Sequence, residues 1–119
     1  MSVNKVILLG YVGKDPEVKY IDVNQAVARL PLATTIRAYK LPNGVEVPEQ
    51  TEWHNLIFWK GNAQTVEKYV RKGDRIYVEG RIKTNKYEDK RGITRSYTEI
   101  EVHQLEMLGR PAKQEDSPV

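Results

Sequence analysis

Only one stretch of this chain has the spacing of an amphipathic helix, and its place among strand-like segments restricts the fold more than any other feature. In "GNAQTVEKYVRKG" (61–73), Ala63, Val66 and Val70 recur at helical intervals and Asn62 stands where an N-cap belongs. Arg71 and Lys72 fill the expected last turn, and Gly73 is placed to end it. The segment is short and apolar on one side, which suits a helix covering the end of a sheet. Three strand-like segments precede it: "NKVILLG" near the N-terminus, "AVARLPLAT" (26–34) and "TEWHNLIFWK" (51–60). Two long ones follow, within "DRIYVEGRIKTNKYEDKRGITRSYTEIEVHQLEML", around a polar turn.

Local details refine this reading. Pro31 has no N–H, so its ladder position should lie unpaired at an edge or bulge. Residues 35–50 form a long excursion or irregular hairpin, with Asn43-Gly44 as its turn. In the fourth strand Ile76, Val78, Gly80 and Ile82 share the apolar face, and Gly80 there suits a sharply coiled strand. In the last strand Thr98, Ile100 and Val102 keep one parity while Leu105 and Met107 take the other. A bulge near His103 and Gln104 reconciles them. The chain is therefore all-β with one short helix between the third and fourth of five strands. That is the connectivity of an OB-fold, a small, partly open Greek-key barrel. A β-sandwich would have more strands and no helix at that point.

A length of 119 residues fits one domain with a real core. The barrel is expected over 1–109 and a loose tail, "RPAKQEDSPV", over 110–119. Cysteine is absent, which excludes disulfides and thiolate metal sites. The N-terminal apolar run has neither a basic leader nor a small-residue cleavage site, and no apolar stretch is long enough to span a bilayer. A soluble intracellular protein without a membrane partner is expected.

Function is written in the third strand. Alternation puts Trp53, Asn55, Ile57 and Trp59 on one face, and His54, Leu56, Phe58 and Lys60 on the other. Leu56 and Phe58 already supply a core, so the two tryptophans either plug a second hydrophobic layer or are offered to a flat ligand. OB barrels bind ligands across the second and third strands and the loops at their ends, which puts the tryptophan face outside, on the binding side. Tyr87 lies in the fourth–fifth strand loop, and Tyr39 lies in the second–third loop beside Arg37 and Lys40. The formal net charge of +3 is modest, but Arg81 to Arg95 holds six basic residues against Glu88 and Asp89. That run is either a solvated hairpin or a phosphate-tracking surface. Aromatics interleaved with cations describe a surface for single-stranded nucleic acid, since bases of any identity stack on rings while Lys and Arg neutralise phosphates. Lys72, Lys83 and Lys86 are the candidate phosphate contacts.

"VNKVILLGYVGKDPEVKY", "EQTEWHNLIFWK", "YVRKGDRIYVEGRIKTNKY" and "LEML" resemble, in this order over roughly 3–109, the bacterial single-stranded DNA-binding proteins. The resemblance implies binding and protection of single-stranded DNA during replication, recombination and repair. Trp53, Trp59 and Tyr87 fall at the family's stacking positions, and Tyr39 falls near a fourth in a loop one residue longer. It also implies a homotetramer, with His54 near a subunit contact, and a place in the bacterial cytoplasm with the nucleoid. The exposed edge expected at "VNKVILLG" adds Asn4 and Val6 to that interface. The family's long linker with an acidic, hydrophobic-ended tip has no counterpart in "KQEDSPV". Recruitment of replication and repair proteins by this chain is accordingly not expected.

Catalysis has no support in the residues. His54 and His103 lack ligand spacing with each other or with a carboxylate motif, and "GYVG" and "KGNA" do not pattern as phosphate loops. No cofactor and no metal are expected. An OB module acting as a replication-restart or RNA-binding accessory protein remains the alternative, because its stacking surface would look the same.

Overall fold

The computed structural model describes residues 1–23 and 25–110. Alternating apolar residues build β1 (Val6–Val12), β2 (Glu17–Asp22), β3 (Gln25–Ile36), β4 (Tyr39–Lys40), β5 (Glu46–Val47) and β6 (Gln50–Trp59). The helix α1 (Lys60–Tyr69) follows, then β7 (Arg75–Glu88) and β8 (Thr94–Gly109). The sheet order β1-β7-β8-β6-β3-β2 closes on itself because β1 also pairs with β3. Five strands thus form a ring: β1 pairs β7 from Val6 to Tyr11 and β3 at Tyr11 and Val12. Among the described residues the one parallel contact, Leu56 with Ile100 and Ile57 with Glu101, joins β6 to β8. This is the expected OB barrel, with its helix between the third and fourth ring strands.

One strand was not foreseen, and the irregular hairpin expected over 35–50 is present. β2 pairs antiparallel with the first half of β3 and hangs outside the ring. Its alternating "EVKYID" is legible as a strand, but Asp15-Pro16 interrupts the apolar run before it. The 35–50 excursion folds as the β4–β5 hairpin, with Gly44 at φ +88° and its N–H donated to Leu41 O at 2.9 Å. A positive φ is what Asn-Gly turns provide. Pro31 pairs with Asn55 on the β6 side. On its other side it falls between the stretch of β3 that pairs β2 and the stretch that pairs β1. Its carbonyl there accepts from Gly13 N–H at 2.9 Å, so the missing donor breaks no ladder.

Phe58, Leu56, Leu30, Leu32, Ile76 and Val78 fill the barrel, all almost wholly buried. Ala63 and Val66 of α1, with Val70 just after it, join the same cluster. Two glycines permit the closure. A Cβ on Gly10 would overlap Ala33 O, and one on Gly80 would overlap Glu101 O. The expected bulge is present: Glu79 faces Gln104 but Gly80 faces Val102, so His103 is the extra residue. Leu105 then regains the inner face opposite Val78.

The ends of the helix differ from expectation. Lys60 takes φ +52°, which turns the chain so sharply that α1 starts directly from Trp59. Asn62 is therefore inside the first turn rather than its cap, and its amide donates to His103 O at 3.3 Å. At the other end the helix stops at Tyr69, leaving Arg71 and Lys72 beyond it. Arg71 ends it by donating from Nη1 to the carbonyls of Glu67 and Val70, while Gly73 turns the chain toward β7. Ile82 also departs from the expected apolar face. It is exposed, because past Gly80 the β7–β8 pair leaves the barrel as an arm. The proposed tail at 110–119 lies, apart from Arg110, outside the described residues.

Candidate functional site

Strand register assembles the outer face. Trp59 pairs with Val27, Ile57 with Arg29, Asn55 with Pro31 and Trp53 with Ala33, so all eight share one side of β3 and β6. The β6–β8 and β7–β8 pairings extend it through Glu101 with Arg81, Glu99 with Lys83, Tyr97 with Asn85 and Arg95 with Tyr87. Both tryptophans are exposed, Trp53 at 60% and Trp59 at 36%, while Leu56 and Phe58 on the opposite side are at 0%. Tyr87 is exposed on the arm, where its ring lies 5.8 Å from that of Tyr97 at a 59° tilt. Tyr39 is exposed on the β4–β5 hairpin, two residues beyond the exposed Arg37.

Not every candidate cation meets this face. Lys83 does: its Nζ stands 6.0 Å from the Trp59 ring centroid and 3.6 Å from a Glu101 oxygen. Lys86 has the opposite parity on β7 and projects from the other side of the arm. Lys72 lies past the helix, at the far end of the β1–β2 loop, with its backbone N–H donated to Asp15 at 2.8 Å. Ile57, counted with the tryptophans by parity, is 2% exposed between Arg29 and Glu101 and offers no contact surface.

The sequence passed over several acidic groups that shape this electrostatic field. Glu101 receives His103 at 3.0 Å, Arg81 at 3.2 Å and Lys83. His103 first, then Arg81, hold its carboxyl below the ordinary carboxylate range. Glu99 is almost wholly buried and takes Arg29 Nε at 2.8 Å and Asn85 Nδ2 at 2.9 Å. At the arm's tip Asp89 accepts from Arg95 Nε and from the N–H groups of Arg91 and Ile93. Arg95 chiefly, then the Ile93 N–H, depress its pKa. The basic arm therefore carries a turn stapled by its own carboxylate.

Gly13 is a further residue that sequence reasoning did not single out. A Cβ there would collide with the Trp53 ring, lying 2.8 Å from Cη2 and closer still to Cζ3. Gly13→Ala is expected to displace the exposed ring edge while changing stability by no more than about 0.5 kcal/mol. Trp53 emission and urea unfolding of the variant check both halves of that expectation.

His54 is half-buried, its Nε2 2.8 Å from Thr34 Oγ1. Asn4 is spent within the chain, donating to Ile82 O and accepting from Ile82 N–H, each at 2.9 Å. Val6 turns inward against the core. The outward residues of β1 are Ile7, Leu9 and Tyr11, all exposed, and Val6–Gly10 pair with β7 alone. This open apolar edge follows from the same alternation, read one residue out of phase. Among the described residues no cluster of His, Cys, Asp or Glu is arranged to hold a metal ion, and no helix is long and apolar enough to cross a membrane.

Comparison with known proteins agrees with this fold. The model of the single-strand binding protein family matches residues 3–108. The single-stranded DNA-binding protein of Bacteroides thetaiotaomicron is 56% identical over 108 residues, which is 91% of this chain and 67% of the relative. That of Neisseria meningitidis serogroup A is 42% identical over 109 residues, covering 92% of this chain and 62% of the relative. The chain thus spans about two thirds of the length of these curated relatives. A solved structure described as the Plasmodium falciparum SSB complex with ssDNA superposes with a TM-score of 0.78 at 29% identity, covering 91% of this chain and 96% of that one.

Proposed function

We propose that this chain, which belongs to the single-strand binding protein family, binds single-stranded DNA across the outer face of β3, β6 and the β7–β8 arm. The observation that carries the reading is the split of β6: exposed tryptophans on one side, a filled barrel on the other. A ring left open to solvent costs apolar burial, and stacking on a base recovers it. Trp53, Trp59, Tyr87 and Tyr39 are assigned to bases and Arg37 and Lys83 to phosphates on this face, while Lys72 and Lys86, which lie off it, are assigned to phosphates where the bound strand wraps around the arm and past the helix. Binding of this kind ignores sequence because every base has a face. Protection of single strands in replication, recombination and repair follows from it, in the cytoplasm at the bacterial nucleoid. The protein acts by binding and not by catalysis.

The test is a titration of oligo-dT, oligo-rU and duplex DNA at several salt concentrations. Oligo-dT is expected to bind tightest and duplex weakest, because duplex hides its base faces. Log affinity should fall linearly with log salt, with a slope of about 0.7 per phosphate neutralised. The number of cations in contact is read from that slope. A flat response would remove the phosphate assignments and leave stacking alone.

Assembly belongs to the same reading. The unpaired edge of β1 and its outward Ile7, Leu9 and Tyr11 support a strand-to-strand contact between copies, continued to a homotetramer with Asn4, Val6 and His54 close to subunit contacts. Light scattering at micromolar concentration is expected to return four times the chain mass. A single-chain mass would refute the assembly without touching the strand-binding assignment.

A further inference from the structure

Beside Trp59 the outer face holds a shallow hollow of about 430 Å³, and Glu101 and His103 line it together with the tryptophan. Strand register explains why charged groups gather there. Glu101 pairs with Ile57 of β6 and with Arg81 of β7, and Lys83 lies two residues further along the same side of β7. The bulge keeps His103 on the side of Glu101. The carboxylate is 16% exposed, and both of its oxygens are engaged. Oε1 accepts from Arg81 Nε at 3.2 Å and stands 3.0 Å from His103 Nε2. Oε2 accepts from Arg81 Nη2 at 3.4 Å and lies 3.6 Å from Lys83 Nζ.

For a polyanion this arrangement is unfavourable. Lys83 stands 6.0 Å from the Trp59 ring centroid, so a phosphate next to a base stacked on Trp59 comes within its reach. In the free protein Lys83 and Arg81 are already matched by an anion of the chain itself. With the imidazole neutral, two cations against one carboxylate leave one net positive charge, where two would stand without it. An arriving phosphate must draw the cations off Glu101 and then remain beside it. Repulsion between two anions about 5 Å apart in water corresponds to roughly a fourfold rise in Kd. A carboxylate that only aimed the cations would leave the side-on fork of Arg81 free for phosphate. Here Nε and Nη2, the two points of that fork, are the donors Glu101 occupies.

We propose that Glu101 is an internal competitor for phosphate, a fixed anion that holds down the affinity of the outer face for single strands. The proposal rests on the single-strand reading of that face, and assigns to one of its residues an effect of opposite sign to the others.

Two measurements test it. Glu101→Gln keeps the shape of the side chain and removes its charge. At low salt this variant is expected to bind oligo-dT roughly three- to tenfold more tightly than the parent. Its salt slope should be steeper by up to about 0.7, because one further cation meets a phosphate. The second measurement needs no variant. By linkage, a carboxylate that opposes binding must itself titrate at higher pH once the strand is bound. The Glu101 carboxyl carbon, followed by NMR in the parent with and without oligo-dT, is expected to show that rise. A folded Glu101→Gln variant that binds no more tightly than the parent would overturn the proposal, as would an unshifted or lowered titration. If the variant does not fold, the titration decides alone. A parent that fails to bind oligo-dT would instead reject the outer-face reading, and the competitor with it.

Discussion

Phe58→Ala is expected to lower stability by about 3–5 kcal/mol, a large share of the roughly 5–15 kcal/mol that holds a typical domain together. Phe58 is wholly buried, and its partner across the β3–β6 ladder is Ala28, also wholly buried. A small residue on a paired strand cannot move in to fill the space. Other members of the same core cluster, such as Leu30, Ile76 and Val66, are anchored on three different elements and cannot close on the gap together. The cavity should therefore persist, which is the condition for the upper end of the range. Urea unfolding measures the loss. A cost below about 1 kcal/mol would mean that the barrel interior is not the main core. At a temperature where the variant is folded, its affinity for oligo-dT should match that of the parent, because Phe58 does not reach the outer face.

The ring of five strands was readable because its signals are local. Alternation in β6 and β7, the parity change in β8 and the single helical period each follow from a few adjacent residues. The helix ends were not readable in the same way. Lys60 adopts a positive φ that its residue type disfavours, and only the junction of β6 with α1 imposes it. Parity found Trp53 and Trp59 but miscounted Ile57, whose burial depends on Arg29 and Glu101 from strands distant in sequence. The acidic side of the site was missed for a related reason. Glu99 and Glu101 look like ordinary surface carboxylates until register sets them among Arg29, Arg81 and Lys83. Gly13 was unreadable because its role is an absence of atoms beneath a ring contributed from 40 residues along the chain.

Trp53→Ala and Trp59→Ala separate the two roles that an aromatic strand can have. If each ring stacks on a base, each truncation should cost about 1–3 kcal/mol of binding, a rise in Kd of roughly 5- to 150-fold. If the rings held the barrel together, the loss would fall on stability at about 3–5 kcal/mol. Exposure separates the pair further. Trp53 is 60% exposed and rests on Gly13, so its removal uncovers little and should leave the melting temperature nearly unchanged. Trp59, at 36%, also forms the junction with α1 and stands beside Lys83, so a modest loss of stability should accompany its loss of affinity. Fluorescence gives an independent signal, because oligo-dT should quench the remaining tryptophan in each variant if both rings meet bases. Melting temperature, oligo-dT affinity and quenching are measured together on both variants. A parent whose emission ignores oligo-dT, with variants that melt far below it, would assign the tryptophans to the core. Lost affinity in variants that keep the parent's cooperative melting would assign them to DNA, and would leave Leu56 and Phe58 alone to account for the packing of β6.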